Sequence, residues 1–96
     1  MARVVIAQRA QDNLRVMIRT HSLPATTRER VRNAIAPLAE FPRLGPELKG
    51  RWSNLRFVLG PWPWMLIVYR WDEPTDTVVV VTIQDARSSI AATSSR

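Results

Sequence analysis

Cationic side chains dominate the residues of this sequence that could do chemistry. The 96 residues include 14 lysines and arginines against 8 carboxylates, a formal net charge of +6, with one histidine and no cysteine. Without cysteine there is no disulfide framework and no thiolate metal site, and a single imidazole argues against a histidine-rich one. We therefore predict no metal site and no cofactor. The positive charge favours an anionic partner, which could be a nucleic acid, a ribosome or an acidic protein.

The positive charge is concentrated in the first third of the chain. Residues 1–32 carry seven arginines against Asp12 and Glu29, whereas residues 33–96 are nearly neutral. Lys49 is the only lysine, and a codon-biased genome would also produce such an excess of arginine. A solvated basic surface explains the charge as well as a recognition surface does, so both interpretations stay open.

Four tryptophans, at positions 52, 62, 64 and 71, are a second group of candidates. Indole rings can stack on unpaired bases, at about 1–3 kcal/mol per base. A small core also needs large side chains, and a partner that wraps the protein would cover aromatic rings in a groove, so we favour core or partner contacts. Trp62, which lies between two prolines, is the one that we expect to be exposed to a partner.

A strand and two helices must position the first of these side chains. Residues 3–6 are β-branched, which predicts a short strand, and apolar residues at helical spacing follow over residues 10–18. A second helix is predicted from Thr26, whose spacing from Glu29 fits a capping box. Pro37 lies inside its apolar pattern, so we expect a kink or an early end there.

Three strands are predicted in the second half of the chain, over residues 54–59, 64–71 and 77–84. Residues 72–76 have turn composition, so the last two strands are expected to form an antiparallel hairpin. The four valines at 78–81 indicate a strand that is buried on both faces. The order β-α-α-β-β-β predicts an α+β fold, with a helical hairpin packed on one small, mainly antiparallel sheet.

The length is sufficient for one domain only, because chains this short cannot support two cores. We place that domain at residues 1–87 and expect the small and polar residues 88–96 to form a flexible C-terminal tail. The first apolar residues meet charge too soon for a signal peptide, and the longest apolar run, residues 62–69, is too short to span a membrane. We therefore expect a cytoplasmic protein with no membrane partner.

Six short motifs follow one another over nearly the whole chain. They are Pro42-Arg43-Leu44-Gly45, Leu48-Lys49-Gly50, Leu55-Arg56, Ile67-Val68-Tyr69, Asp72-Glu73, and the strand from Val79 to Arg87. Each motif is weak alone, but their order and spacing resemble the RelE/ParE superfamily, the toxins of type II toxin–antitoxin systems of the plasmid-stabilisation type. The resemblance implies the same β-α-α-β-β-β fold.

The resemblance also implies a toxin that a cognate antitoxin holds silent. When free, it would arrest growth by acting on DNA gyrase or on ribosome-bound messenger RNA. Cleaving RNA requires the 2′-hydroxyl to attack the adjacent phosphate, with stabilisation of negative charge and proton transfer at both ends.

The basic residues that do this in RNA-cleaving members match Lys49, Arg56 and Arg87 by position, and these are our catalytic candidates. An ammonium group can also donate a proton, whereas a guanidinium orients and neutralises. For contacts with the target or the antitoxin, the candidates are Arg51, Trp62, Trp64 and Arg70.

Two features of RNA-cleaving members are missing. Such members usually carry a further arginine at the start of the tyrosine strand and a histidine or tyrosine near the end. Here residues 60–65 are rich in proline and tryptophan, and no general acid or base follows Arg87. His21 lies in another part of the chain, so we do not count it. We expect Asp85 to be the ion-pair partner of Arg87 or a turn residue rather than a proton acceptor.

These departures favour the gyrase-directed branch, whose members act by binding rather than by hydrolysis. A ribosome-dependent messenger RNA endonuclease that uses Lys49, Arg56 and Arg87 is one alternative. A non-toxic binding module on the same scaffold is another.

Overall fold

The computed structural model describes residues 1–88 and 90–94. Its elements, in chain order, are β1 (Arg3–Ile6), α1 (Gln8–Thr20), α2 (Thr27–Ile35), β2 (Arg56–Leu59), β3 (Met65–Asp72) and β4 (Thr77–Asp85). Short 3₁₀ helices follow α2 at Ala36–Ala39 and precede β2 at Gly50–Trp52. The predicted element order and the α+β class are confirmed.

The four strands form one sheet in the order β1-β4-β3-β2. β3 pairs antiparallel with both β2 and β4, and β1 joins the free side of β4 as the one parallel pair of this sheet. The predicted hairpin between the last two strands is therefore present, and the sheet is mainly antiparallel. β3 is its most buried strand, because it has a neighbour on each side and its residues 65–69 are all buried.

The two helices cover one face of this sheet. Their apolar positions recur at helical spacing, so that α1 buries Ala10, Leu14 and Met17, and α2 buries Val31 and Ile35. These side chains pack against sheet residues from β3 and β4 that are also buried. Full burial of a large apolar side chain is worth about 1.5–3 kcal/mol, so this core is the main source of stability.

A smaller apolar cluster covers the opposite face of the sheet. It joins Leu66 and Val68 of β3 to Leu48, Ala91 and Ala92. The backbone N–H of Ala92 donates to the side-chain oxygen of Gln84 at 2.7 Å, which fixes this segment against β4. Ala91 and Ala92, which lie in the predicted tail, are therefore packed on the sheet. The domain boundary after residue 87 stays a prediction, and part of the tail, Ser89, Ser95 and Arg96, lies outside the described residues.

Two local predictions at α2 had different outcomes. The capping box is wrong, because Thr26 has φ −81° and ψ 1°, which is not the extended conformation of a capping residue, and it makes no side-chain cap. The hydroxyl of Thr27 instead donates to the carbonyl oxygen of Pro24 at 2.6 Å. The early end at Pro37 is confirmed, since α2 stops at Ile35 and a 3₁₀ helix continues.

The valine run of β4 is less buried than its composition indicates. Val78 and Val80, which face the helices, have no exposed area, whereas Val79 and Val81 are half-buried. Burial on both faces is therefore wrong for this strand, because only the small cluster covers the second face. Within residues 1–88 and 90–94, no helix has both the length and the apolar character that a membrane-spanning helix needs.

Candidate functional site

An ion pair marks the carboxyl end of β4. Asp85, the last residue of that strand, accepts hydrogen bonds from Arg87 Nε at 2.9 Å and from Arg87 Nη2 at 2.7 Å. The predicted pairing of these two residues is confirmed. Its charge-assisted hydrogen bonds hold the pKa of Asp85 well below its usual range, and the same contact raises the pKa of Arg87. Both groups are therefore charged at neutral pH.

His21 also reaches Asp85, although it is 64 residues away along the chain. Its Nε2 atom lies 3.3 Å from Asp85 Oδ2, and its Nδ1 atom lies 2.9 Å from the hydroxyl of Thr20. We discounted His21 because of its place in the sequence, but the fold brings its ring beside Asp85. His21 follows the last residue of α1, and α1 packs along β4, so the two ends meet.

Asn13 sets the position of α1 on β4. Its side-chain oxygen accepts a hydrogen bond from the Thr82 hydroxyl at 2.7 Å and from the Ile83 backbone N–H at 3.2 Å. These contacts fix where α1 ends relative to the sheet, and hence bring His21 beside Asp85. An asparagine within a helical pattern was the one signal in the sequence, because this residue type disfavours helix interiors unless its amide has a partner.

Two tryptophans, Trp62 and Trp64, lie beside these side chains at the end of β4. The His21 ring stacks on Trp64 with centroids 4.9 Å apart, and the Arg87 guanidinium lies 4.9 Å from the centroid of the same indole. Trp62 stacks on Trp64 at 6.1 Å, and Arg30 of α2 lies over Trp62 at 5.9 Å. Trp62, which we expected to be exposed, is half-buried and packs against the helix-side core. We call His21, Trp64, Asp85 and Arg87 the β4-end cluster.

Lys49 and Arg51 lie on the other face of the sheet. Both are exposed and line a cleft of about 900 Å³ together with Trp52, Phe57 and the residues 90–94. The Arg51 guanidinium lies 5.4 Å from the Trp52 ring. This cleft could hold an extended chain or an anionic group, and its cations come from the turn that precedes β2.

Arg56 lines a smaller cleft of about 390 Å³, and two of its guanidinium nitrogens donate to groups of the protein. Its Nη1 donates to the carbonyl oxygen of Gly45 at 2.8 Å, and its Nη2 donates to Glu47 Oε1 at 2.9 Å. Tyr69 holds the same loop, since its hydroxyl accepts from the Gly45 N–H at 2.9 Å and donates to the Pro42 carbonyl at 2.8 Å. Burial raises the pKa of this phenol. We call Pro42, Gly45, Arg56 and Tyr69 the loop anchor.

No protein-family model and no curated protein matches this sequence. Solved structures do match it. The isolated E. coli RelE toxin is 20% identical over 94% of this chain and 89% of that chain, with a TM-score of 0.67. A chain of the intact E. coli RelBE toxin–antitoxin complex is 17% identical over 92% of this chain and 100% of that chain, also at 0.67. A metal-bound toxin from Helicobacter pylori is 18% identical over 95% and 100%, at 0.69.

The chain has the RelE fold. The fold that the motifs implied is therefore confirmed by geometry, at sequence identities too low to carry more than the fold. Residues from three of the motifs meet in the loop anchor. Their hydrogen bonds hold the connection before β2 against the sheet.

The RelE fold places the three catalytic candidates in three separate places. Lys49 lies on the face without helices, Arg56 lies in the loop anchor, and Arg87 turns toward Trp64 on the helix side. No hydrogen bond or ion pair between described residues joins any two of them. Arg56 pairs in register with Tyr69 at one end of β2. Leu59, at the other end of β2, lies three residues farther along the chain, which is about 10 Å along the strand.

Arg70 lies toward the opposite end of β3 from Trp64. It is exposed and pairs in register with Val79, beside a shallow pocket that Arg3 and Asp72 also line. Its role as a contact residue stays a prediction. Among the residues that the structure describes, no group of three or more histidine, aspartate or glutamate side chains is placed to hold a metal ion.

Proposed function

We propose that this chain is the toxin of a type II toxin–antitoxin pair, which a cognate antitoxin holds silent. The observation that carries this proposal is the RelE fold, which spans more than nine-tenths of the chain in the E. coli matches. One of those matches is a RelE toxin, and another comes from a complex of toxin with antitoxin. Both candidate targets are cytoplasmic, so we also propose the cytoplasm as its location.

For the target we propose ribosome-bound messenger RNA. The support is the β4-end cluster, in which an imidazole and a guanidinium each lie within hydrogen-bonding distance of one carboxylate. RNA cleavage needs proton transfer together with neutralisation of phosphate charge, and the cluster holds side chains suited to both. Two departures favoured gyrase, a missing arginine before the tyrosine strand and a missing acid or base near Arg87, and the position of His21 supplies a candidate for the second.

DNA gyrase is the second candidate target. The observation that favours it is the separation of Lys49, Arg56 and Arg87, which leaves the residues matched to RNA-cleaving members without a common site. A toxin that acts by binding needs only exposed contact residues. Lys49 and Arg51 on the open face could serve that purpose.

Controlled expression of the chain alone tests both proposals. Growth, the integrity of total messenger RNA and the topology of a reporter plasmid would be measured in the same culture. The proposal predicts growth arrest with fragmented messages and unchanged plasmid. Arrest with intact messages and relaxed or cleaved plasmid would transfer the target to gyrase. Normal growth at full expression would reject the toxin proposal and leave a non-toxic binding module.

A matched control separates toxicity from the burden of expression. In Gly45→Val the added side chain would collide with the chain of β2, because even a Cβ at residue 45 would lie 2.0 Å from the Phe57 carbonyl oxygen. This variant should express without folding. If it arrests growth as strongly as the wild type, the arrest does not come from the folded toxin.

A further inference from the structure

The two ring nitrogens of His21 have partners of different hydrogen-bonding character. Asp85 faces Nε2 and can only accept, because its hydrogen bonds from Arg87 hold the pKa of the carboxyl well below its usual range. The neutral imidazole therefore carries its hydrogen on Nε2. Nδ1 is then the basic nitrogen, and the Thr20 hydroxyl at 2.9 Å donates to it.

The basic nitrogen lies where a substrate could replace Thr20. The His21 side chain is 29% exposed, and Thr20 is an exposed residue at the end of α1. An exposed threonine hydroxyl exchanges one hydrogen-bond partner for another at little cost, since water satisfies it afterwards. A ribose hydroxyl can therefore take its place at Nδ1 without disturbing the contact of Nε2 with Asp85.

The surroundings hold the imidazole in one orientation. Trp64 stacks against the ring at an interplanar angle of 15°, and Asp85 fixes the edge that carries Nε2. Arg87 uses Nε and Nη2 for Asp85 and has Nη1 for a phosphate oxygen, with 62% of its side chain exposed. A base and a phosphate-binding cation therefore share one carboxylate as their support.

We infer that His21 is the general base of RNA cleavage and that Asp85 is its positioning residue, an inference that rests on the proposed messenger RNA target. In the reaction Nδ1 takes the proton of the 2′-hydroxyl, and O2′ forms a bond to the adjacent phosphorus. The bond from phosphorus to O5′ breaks, its electron pair leaves with O5′, and that oxygen takes a proton from water. The products are a 2′,3′-cyclic phosphate and a free 5′-hydroxyl.

The test is the rate of message cleavage by the purified full-length chain in a reconstituted translation mixture. His21→Gln removes the base while keeping a polar side chain of similar reach, and we expect a loss of about 10²–10⁴-fold in rate. Thr20→Val should keep the wild-type rate within a few-fold, because the substrate replaces that hydroxyl. Asn33→Ala, an exposed change on α2, is the control for handling and folding.

The pH profile distinguishes a base from a structural side chain. Among the described residues, the charged groups that contact the imidazole or share its carboxylate are Asp85 and Arg87. Their shifted pKa values keep both charged at neutral pH, so neither changes charge when the solution is moderately acidified. A general base must be unprotonated to act, so the wild-type rate should fall on acidification, and the residual rate of His21→Gln should not show that fall.

Each result decides between the inference and the proposal beneath it. Wild-type cleavage together with an undiminished rate in His21→Gln overturns the role of His21 and leaves the messenger RNA target in place. A wild-type protein that arrests growth but cleaves no message in the mixture overturns the target itself, and with it the inference. The role of His21 and the messenger RNA target are both supported if cleavage depends on His21 and if His21→Gln lacks the decrease in rate on acidification.

Discussion

The β4-end cluster and the loop anchor both contain an arginine, yet the two arginines have different work. The side chain of Arg56 is 21% exposed and donates hydrogen bonds to a backbone carbonyl and to Glu47. The side chain of Arg87 is 62% exposed and shares its carboxylate partner with an imidazole. The motifs that resemble a toxin family are densest in the loop anchor. The groups that could move a proton are in the cluster, and His21 belongs to none of the motifs. The cluster joins Asp85 and Arg87 of the last motif to His21 and Trp64, which lie outside the motifs.

The largest effect that would test this comparison is a change at Gly45. A Cβ there would lie 2.0 Å from the Phe57 carbonyl oxygen and 3.1 Å from the Tyr69 ring, so the loop must leave β2. We expect Gly45→Ala to lower the free energy of unfolding by about 3 kcal/mol or more, measured by urea denaturation.

Gly50→Ala is the matched control for Gly45→Ala. Gly50 has φ +66° with open space around it, so only the backbone conformation is strained and the cost should be about 1 kcal/mol. Equal losses at the two glycines would show that the loop anchor is not the sensitive part.

Tyr69→Phe isolates the hydrogen bonds of the loop anchor from its packing. The ring stays, but the Gly45 N–H and the Pro42 carbonyl lose their partner beside a fully buried side chain. We expect a loss of about 1–3 kcal/mol in the free energy of unfolding. Removal of the exposed Thr20 hydroxyl in Thr20→Val should change it by less than about 0.5 kcal/mol. If Tyr69→Phe is as stable as the wild type, the hydrogen bonds of the loop anchor do not stabilise the fold.

Arg56→Met separates the structural role of this arginine from the catalytic one that its motif implies. It keeps the apolar stem and removes the donors to Gly45 and Glu47, at a cost of about 1–2 kcal/mol in unfolding free energy. The folded fraction should still cleave messages within about tenfold of the wild type. Loss of cleavage at unchanged stability would instead assign Arg56 to the chemistry.

The smallest expected effect is the pH dependence that Asp85 contributes to stability. Its pKa is lower in the folded chain than the ordinary value of 3.8, so the unfolded chain binds more protons as the pH falls below about 4. The stabilisation is present at neutral pH and is lost on acidification through that range. We expect it to be below about 1 kcal/mol, as for pairs near the surface. Thermal melts of Asp85→Asn from pH 2 to 7 should have a flatter acid limb than the wild type.

Local patterns predicted the elements well and the site only in part. The strand and helix order, the end of α2 before Pro37, and the pairing of Asp85 with Arg87 all depend on near neighbours in sequence. The contact of His21 depends on how far α1 runs along β4, which the Asn13 contacts decide. The separation of residues 21 and 85 along the sequence does not predict that they meet.

Backbone acceptors account for the other surprise. Arg56 and Tyr69 bind carbonyl and N–H groups of the loop at Pro42 and Gly45, and a backbone group is the same whatever residue carries it. A sequence pattern therefore cannot distinguish an arginine that donates to backbone carbonyls from one that is free to bind phosphate. The packing of Ala91 and Ala92 on the open face was hidden similarly, because small residues give little sign of burial.

The most direct test of the account compares message cleavage by His21→Gln and Arg56→Met, both purified and shown to be folded, in one reconstituted mixture at neutral pH. We expect a loss of at least about 100-fold for His21→Gln and a change within about tenfold for Arg56→Met. The opposite ranking, with His21→Gln active and folded Arg56→Met inactive, would move the chemistry to the loop anchor and contradict the account.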